Sequence, residues 1–260
     1  MHAFVAVFCG VLGLVIGSFL NVVIWRVPRG ESVVRPASHC PVCDAEIAPR
    51  DNVPVISWLV LRGRCRHCRS SISARYPFVE ALTGALFVGM AVRMQHQVHG
   101  YAVLPAYLVF TAVIVALAFI DLDTKRLPNV LVLPMYPVAV VGLGVPALVY
   151  GQGHAALTAL IGGAGLYAFY FVLCFGTAGK GLGFGDVKLA GVLGLFLGWL
   201  GGRDVLVGAI AGIFAGGIVA VVLLARGAGR KAQVPFGPFL VIGALVGVLA
   251  GHPIAHAWLG

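Results

Sequence analysis

Apolar runs of about twenty residues, each closed by a polar or basic cluster, recur along nearly the whole 260-residue chain. A helical run of that length matches the hydrocarbon thickness of a bilayer. The pattern predicts eight membrane spans: 3–25, 75–92, 102–120, 130–150, 155–176, 187–200, 205–225, and a last one opened by Pro235-Phe236-Gly237-Pro238. The expected fold class is an all-α polytopic membrane protein. The first run has no basic residue ahead of it and leads into Asn21 and Trp25 rather than a small-residue cleavage site, so it is expected to stay as a span. Within it, Gly17-Ser18-Phe19-Leu20-Asn21 reads either as a close helix-packing surface or as part of an active site.

Residues 26–77 break the pattern. The stretch is polar and rich in arginine, with prolines at 28, 36, 41, 49, 54 and 77. It divides the chain into a first span (1–25), a loop (26–77) and a membrane domain (78–260). The loop holds four of the six cysteines, as Cys40-Pro41-Val42-Cys43 and Cys65-Arg66-His67-Cys68, with twenty-one residues between the pairs. Tetrahedral zinc needs two ligands from each of two tight turns, and this spacing is close to that of zinc ribbons. A pair of disulfides or a redox dithiol is the competing reading, which a reducing cytoplasm disfavours. So long a loop with so few apolar groups cannot build a core unaided, and a bound metal could supply its folding energy. Arg64, Arg66 and Arg69 can offset the negative charge of four thiolates. His39 and His67 read as loop residues rather than ligands, and Cys9 and Cys174 as small core residues. Glu80 is expected in the first turn of the second span, where a carboxylate suits a helix N-terminus, with a partner role in the active site as the alternative.

Composition sharpens this picture. The chain is 60% hydrophobic and 10% charged, with a mean hydropathy of +1.00, which excludes a soluble domain. The net charge of +9 does not indicate nucleic acid, because nine arginines lie between Arg26 and Arg75, beside membrane spans. With eight spans, sixteen of the eighteen Lys and Arg residues fall on one side, all but Arg93 and Arg203. The positive-inside bias then puts both termini outside and the cysteine loop, Asp121 and Asp186 in the cytoplasm.

A charged carboxylate in hydrocarbon costs about 2.5–3.5 kcal/mol or more, so acids at span ends invite a functional reading. Outside the cysteine loop the acids are Glu80, Asp121, Asp123, Asp186 and Asp204, and the topology sends Asp204 to the far side. If two of the remaining aspartates approach closely, one keeps its proton while the other accepts one from water, and the pair can hydrolyse an amide. Such a pair titrates as a unit, so neither acid is assigned a separate role. Gly183 and Gly185, before Asp186, permit an unwound or tightly approached backbone on which a substrate strand could lie. An incidental acid on a flexible interfacial loop is the bland alternative. Six of the eight histidines fall on the outer side and the other two flank cysteines, so a serine or thiol nucleophile would lack its base.

Taken in order, these motifs resemble the type IV prepilin peptidases, bifunctional leader peptidases and N-methyltransferases. The resemblance covers nearly the whole chain: Gly17-Ser18-Phe19-Leu20-Asn21 with Arg26-Val27-Pro28, the two cysteine pairs, Ile72 to Glu80, Asp121 seven residues before Pro128-Asn129, Gly183-Phe184-Gly185-Asp186, and Pro235-Phe236-Gly237-Pro238. It implies that Asp121 and Asp186 are the catalytic acids; Asp123, two residues along, would point roughly the other way on a helix and reads as a surface partner of Arg126. It implies a prepilin or pseudopilin substrate with a short basic leader, cut on the cytoplasmic side of a bacterial inner membrane after a glycine. It also implies methylation of the new N-terminus from S-adenosylmethionine, for which the residues themselves mark no site. Presenilin-like proteases share Gly-x-Gly-Asp but place tyrosine before the first acid, where this chain has Ile120. A zinc-loop assembly factor without enzymatic activity, and a transporter using the acids as a proton relay, are the readings from other classes.

Overall fold

A computed structural model describes residues 2–176, 182–226 and 234–259 of the chain. The glycine-rich stretch 177–181 and the basic stretch 227–233, with Arg230 and Lys231, lie outside the described residues. The described residues form α1 (His2–Arg26), α2 (Ile56–Val60) within the cysteine loop, α3 (Arg75–Gln95), α4 (Gly100–Thr124), α5 (Asn129–Val132), α6 (Met135–Tyr150), α7 (Gly153–Gly176), α8 (Phe184–Leu200), α9 (Gly202–Ala225) and α10 (Gly237–Leu259). Each expected span has its helix, with α5 and α6 sharing the fourth. Among the described residues six spans are long and apolar enough to cross a membrane, while α8 and the apolar part of α10 are shorter. The protein is an integral membrane protein.

Two boundaries move in a way that matters. The third span continues past 120 to Thr124, where Lys125 adopts a left-handed conformation (φ 54°) and donates its N–H to the Asp121 carbonyl. The sixth begins at Phe184 rather than 187. Both Asp121 and Asp186 therefore lie within terminal helical turns.

The chain forms two compact units, residues 1–96 and 97–260. In the first, α1 packs along α3 through small residues. A β-carbon on Gly13 would come within 2.8 Å of the Gly84 backbone, and one on Gly17 within 2.7 Å of Glu80 Cα. The Gly17–Asn21 motif is thus a packing surface, and Asn21 Nδ2 donates to the carbonyls of Gly17 and Tyr76.

In the second unit, α7 lies against α8 and α9 against α10. A β-carbon on Gly163 would come within 2.7 Å of the Leu195 side chain, so this seam too depends on small residues. Aromatic side chains tie α4 to α8. Phe110 stacks on Phe196 at 4.2 Å, and the buried Tyr107 hydroxyl donates to the Phe196 carbonyl at 2.6 Å. Tyr107 precedes Asp121 in α4 and Phe196 follows Asp186 in α8. The two helices therefore run in opposite senses, with both acids at the same end.

Candidate active site

Asp121 projects from the last turn of α4 and Asp186 from the first turn of α8, and both are buried, at 4% and 8% exposure. They lie within electrostatic reach of one another. Each is held by a backbone donor. Gly183 N–H donates to Asp186 Oδ2 at 3.0 Å, and Gly237 N–H to Asp121 Oδ2 at 2.9 Å. The first contact is a helix cap: the Asp186 N–H returns a bond to the Gly183 carbonyl, and this exchange starts α8 early.

The two glycines before Asp186 do different work. Gly183 has φ −79° and ψ 154°, a conformation open to any residue, and serves through its N–H. Gly185 serves through its missing side chain, since a β-carbon would lie 3.1 Å from Leu127 Cβ in the loop after Asp121. Neither needs an unwound backbone. The two acid-bearing segments meet again where Lys188 Nζ donates to Asn129 Oδ1 at 3.0 Å and Tyr136 donates to the Lys188 carbonyl at 2.9 Å.

Asp123 is exposed, unlike Asp121. Asp204 lies in the first turn of α9, beyond the opposite end of α8 from Asp186. Glu80 departs from expectation. It sits in the second turn of α3, and its carboxylate accepts the Val55 N–H at 2.6 Å instead of serving the helix terminus. Gly237 is the residue that sequence reasoning missed. It stood out as part of Pro235-Phe236-Gly237-Pro238, but nothing local to that motif marks it as the support of an acid 116 positions away.

The four cysteines gather as their spacing requires. The Sγ atoms of Cys40, Cys43, Cys65 and Cys68 all lie within 4.8 Å of one another, and Cys40 Sγ is 3.7 Å from Cys68 Sγ. Sulfurs at about 2.3 Å from a tetrahedral zinc stand about 3.8 Å apart, so the group fits that ion. The two turns repeat one geometry. Cys40 and Cys65 donate N–H to Ala45 and Ser70, and receive at their carbonyls the N–H of Asp44 and Arg69, both left-handed. Backbone N–H groups of Val42 and Cys43 hold the Cys40 thiol down at about 6. Despite the Ala45 N–H, burial and the other sulfurs push Cys43 up to about 11. Four thiols this close ionise together only around a cation. Arg66 is committed to a carboxylate: its guanidinium grips Asp51 through two bonds of 2.6 and 2.7 Å and holds that carboxyl below its usual range.

Residues 11–94 match the bacterial peptidase A24 N-terminal domain, and residues 108–227 the type IV leader peptidase family. A prepilin leader peptidase/N-methyltransferase of Aeromonas hydrophila is 37% identical over 271 residues, covering 95% of this chain and 91% of that protein. One of Pseudomonas aeruginosa is 32% identical over 289 residues, covering 99% and 95%. One of Myxococcus xanthus reaches 42% over 213 residues, covering 80% and 62%. No solved structure matches the chain.

Proposed function

The chain belongs to the type IV leader peptidase family, and from that premise we propose that it is a membrane aspartyl endopeptidase that removes the basic leader of prepilins or pseudopilins and methylates the new N-terminus. The observation that carries the reading is that Asp121 and Asp186 lie buried at the same end of two antiparallel helices, within electrostatic reach of one another and each steadied by one backbone N–H.

Two buried carboxyls in each other's field share one proton. The ionised member takes a proton from water as the oxygen adds to the scissile carbonyl carbon. The protonated member gives its proton to the reacting amide, the C–N bond breaks, and the products are a leader carboxylate and a free amine. Burial keeps bulk water from screening this exchange. Gly183 and Gly185 support the catalytic turn.

In this reading residues 78–260 form the peptidase domain and 26–77 a cytoplasmic loop. Cys40, Cys43, Cys65 and Cys68 hold a structural zinc, which supplies folding energy to a loop with little core of its own. The enzyme resides in the bacterial inner membrane with both termini outside and the acids on the cytoplasmic face. S-adenosylmethionine is the methyl donor.

The test is cleavage of a prepilin in detergent, with S-adenosylmethionine added, by wild type, Asp121→Asn, Asp186→Asn and Asp123→Asn, with product masses read by mass spectrometry. Wild type and Asp123→Asn should cleave, the other two should not, and the wild-type product should carry one added methyl. Cleavage by folded Asp186→Asn would overturn the mechanism, and absence of cleavage by folded, zinc-loaded wild type would favour an assembly factor.

A further inference from the structure

Tyr170, on α7, is buried at 1% exposure, and its hydroxyl has no hydrogen-bond partner among the described residues. A buried polar group without a partner is costly. By stability alone phenylalanine would be the better residue here. Among the described residues the ring packs against apolar groups. It packs edge-on to Phe169 at 5.2 Å and against Phe236 at 6.0 Å, and a cavity of about 10 Å³ beside it is walled by Leu166, Ala190, Leu193 and Leu240.

Ala190 of that cavity wall lies one helical turn after Asp186 on the same face of α8, which brings the acid to the phenol's end of the cavity, within reach of its charge. That carboxylate has an oxygen to spare, since Gly183 bonds Oδ2 and Oδ1 receives no hydrogen bond from the described residues. Phe236, the ring's other neighbour, directly precedes Gly237, which holds Asp121. Tyr170 therefore touches the segment that seats one acid and lies in the field of the other.

Resting on the peptidase reading of the two acids, we infer that Tyr170 is a positioning residue of the dyad, whose phenolic O–H donates to the spare oxygen of Asp186 when the acids engage the substrate. The contact fixes the rotation of the carboxyl plane, which Gly183 alone holds by one oxygen. No proton is transferred through it.

Tyr107 is the matched control, a buried tyrosine of the same unit whose hydroxyl already donates to Phe196. Wild type, Tyr170→Phe, Tyr107→Phe and Asp186→Asn would be compared for kcat and KM on a detergent-solubilised prepilin and for thermal unfolding. Tyr170→Phe should lower kcat by about tenfold or more with KM unchanged and Tm equal to or above that of wild type, the pattern of an interaction made only in the transition state. Tyr107→Phe should lower Tm and keep kcat per folded molecule. Wild-type kcat in Tyr170→Phe overturns the inference, as does a rise in KM alone or a loss of kcat that follows loss of Tm. In all three the peptidase reading stands if wild type cleaves and Asp186→Asn does not. If that contrast itself is missing, the peptidase reading fails and the inference with it.

Discussion

The backbone N–H of Gly237 reaches Oδ2 of Asp121 across 2.9 Å, and a β-carbon on Gly237 would stand 2.8 Å from the same oxygen. The hydrogen bond thus exists only where position 237 has no side chain. Gly237→Ala must either push the Asp121 carboxyl aside or tilt the start of α10. A displacement of about 1 Å in a reacting group can cost about a hundredfold in rate. Gly237→Ala is therefore expected to lose prepilin cleavage by about that factor, mainly in kcat, while the folded fraction seen by size-exclusion chromatography stays near wild type. Unchanged kcat would separate Gly237 from the chemistry.

The cysteine group gives a prediction independent of cleavage. Its sulfurs all lie within 4.8 Å of one another, with Cys40 and Cys68 at 3.7 Å, and the loop around them is largely exposed. Purified protein is expected to hold about one zinc per chain, as four thiolates form one closed tetrahedral shell. Cys65→Ser should abolish stoichiometric zinc and open the loop to proteolysis between Arg29 and Arg75. The helical signal of the membrane domain should persist, since the spans do not depend on the metal for their hydrogen bonds. Zinc content by elemental analysis and limited digestion decide the matter.

Much of this architecture was legible in the chain because the relevant signals are local. An apolar run reports its own length, and Cys40-x-x-Cys43 with Cys65-x-x-Cys68 reports a ligand set without any knowledge of the fold. Asp121 and Asp186 stood out because a carboxylate at a span end is expensive. The helix boundaries beside them were less legible, since α8 begins at Phe184 through an exchange of hydrogen bonds between Gly183 and Asp186 that hydropathy does not register. Contacts between distant segments left no trace in the pattern. Gly237 and Asp121 are joined only by folding, as are Tyr170 and Phe236, or Lys188 and Asn129. Arg66, one of three arginines available to balance thiolate charge, is committed instead to Asp51, a choice set by the path of the loop.

Glu80 shows the same limit most sharply and supports the last prediction. Val55 stands at φ 61° and ψ −49°, outside the regions a β-branched residue normally occupies. Such a conformation costs on the order of 1–3 kcal/mol and persists only where its surroundings enforce it. The Glu80 carboxylate supplies that enforcement through the 2.6 Å bond from the Val55 N–H, from a side chain 8% exposed in the second turn of α3. Removing the acceptor should let residues 53–56 relax to ordinary backbone angles and detach from the helix. Glu80→Ala is expected to destabilise the first unit by up to about 1.5–3 kcal/mol, the range for a hydrogen bond to a charged group. Glu80→Gln, which keeps a neutral acceptor, should lose about half as much. Hydrogen exchange at the Val55 amide gives the direct reading: fast exchange in Glu80→Ala with α3 still protected fits a local clamp. Val55→Gly, which removes the strain at its source, should make the Glu80→Ala loss smaller in a double-mutant cycle. Additive losses would mean that Glu80 and the Val55 backbone are not coupled.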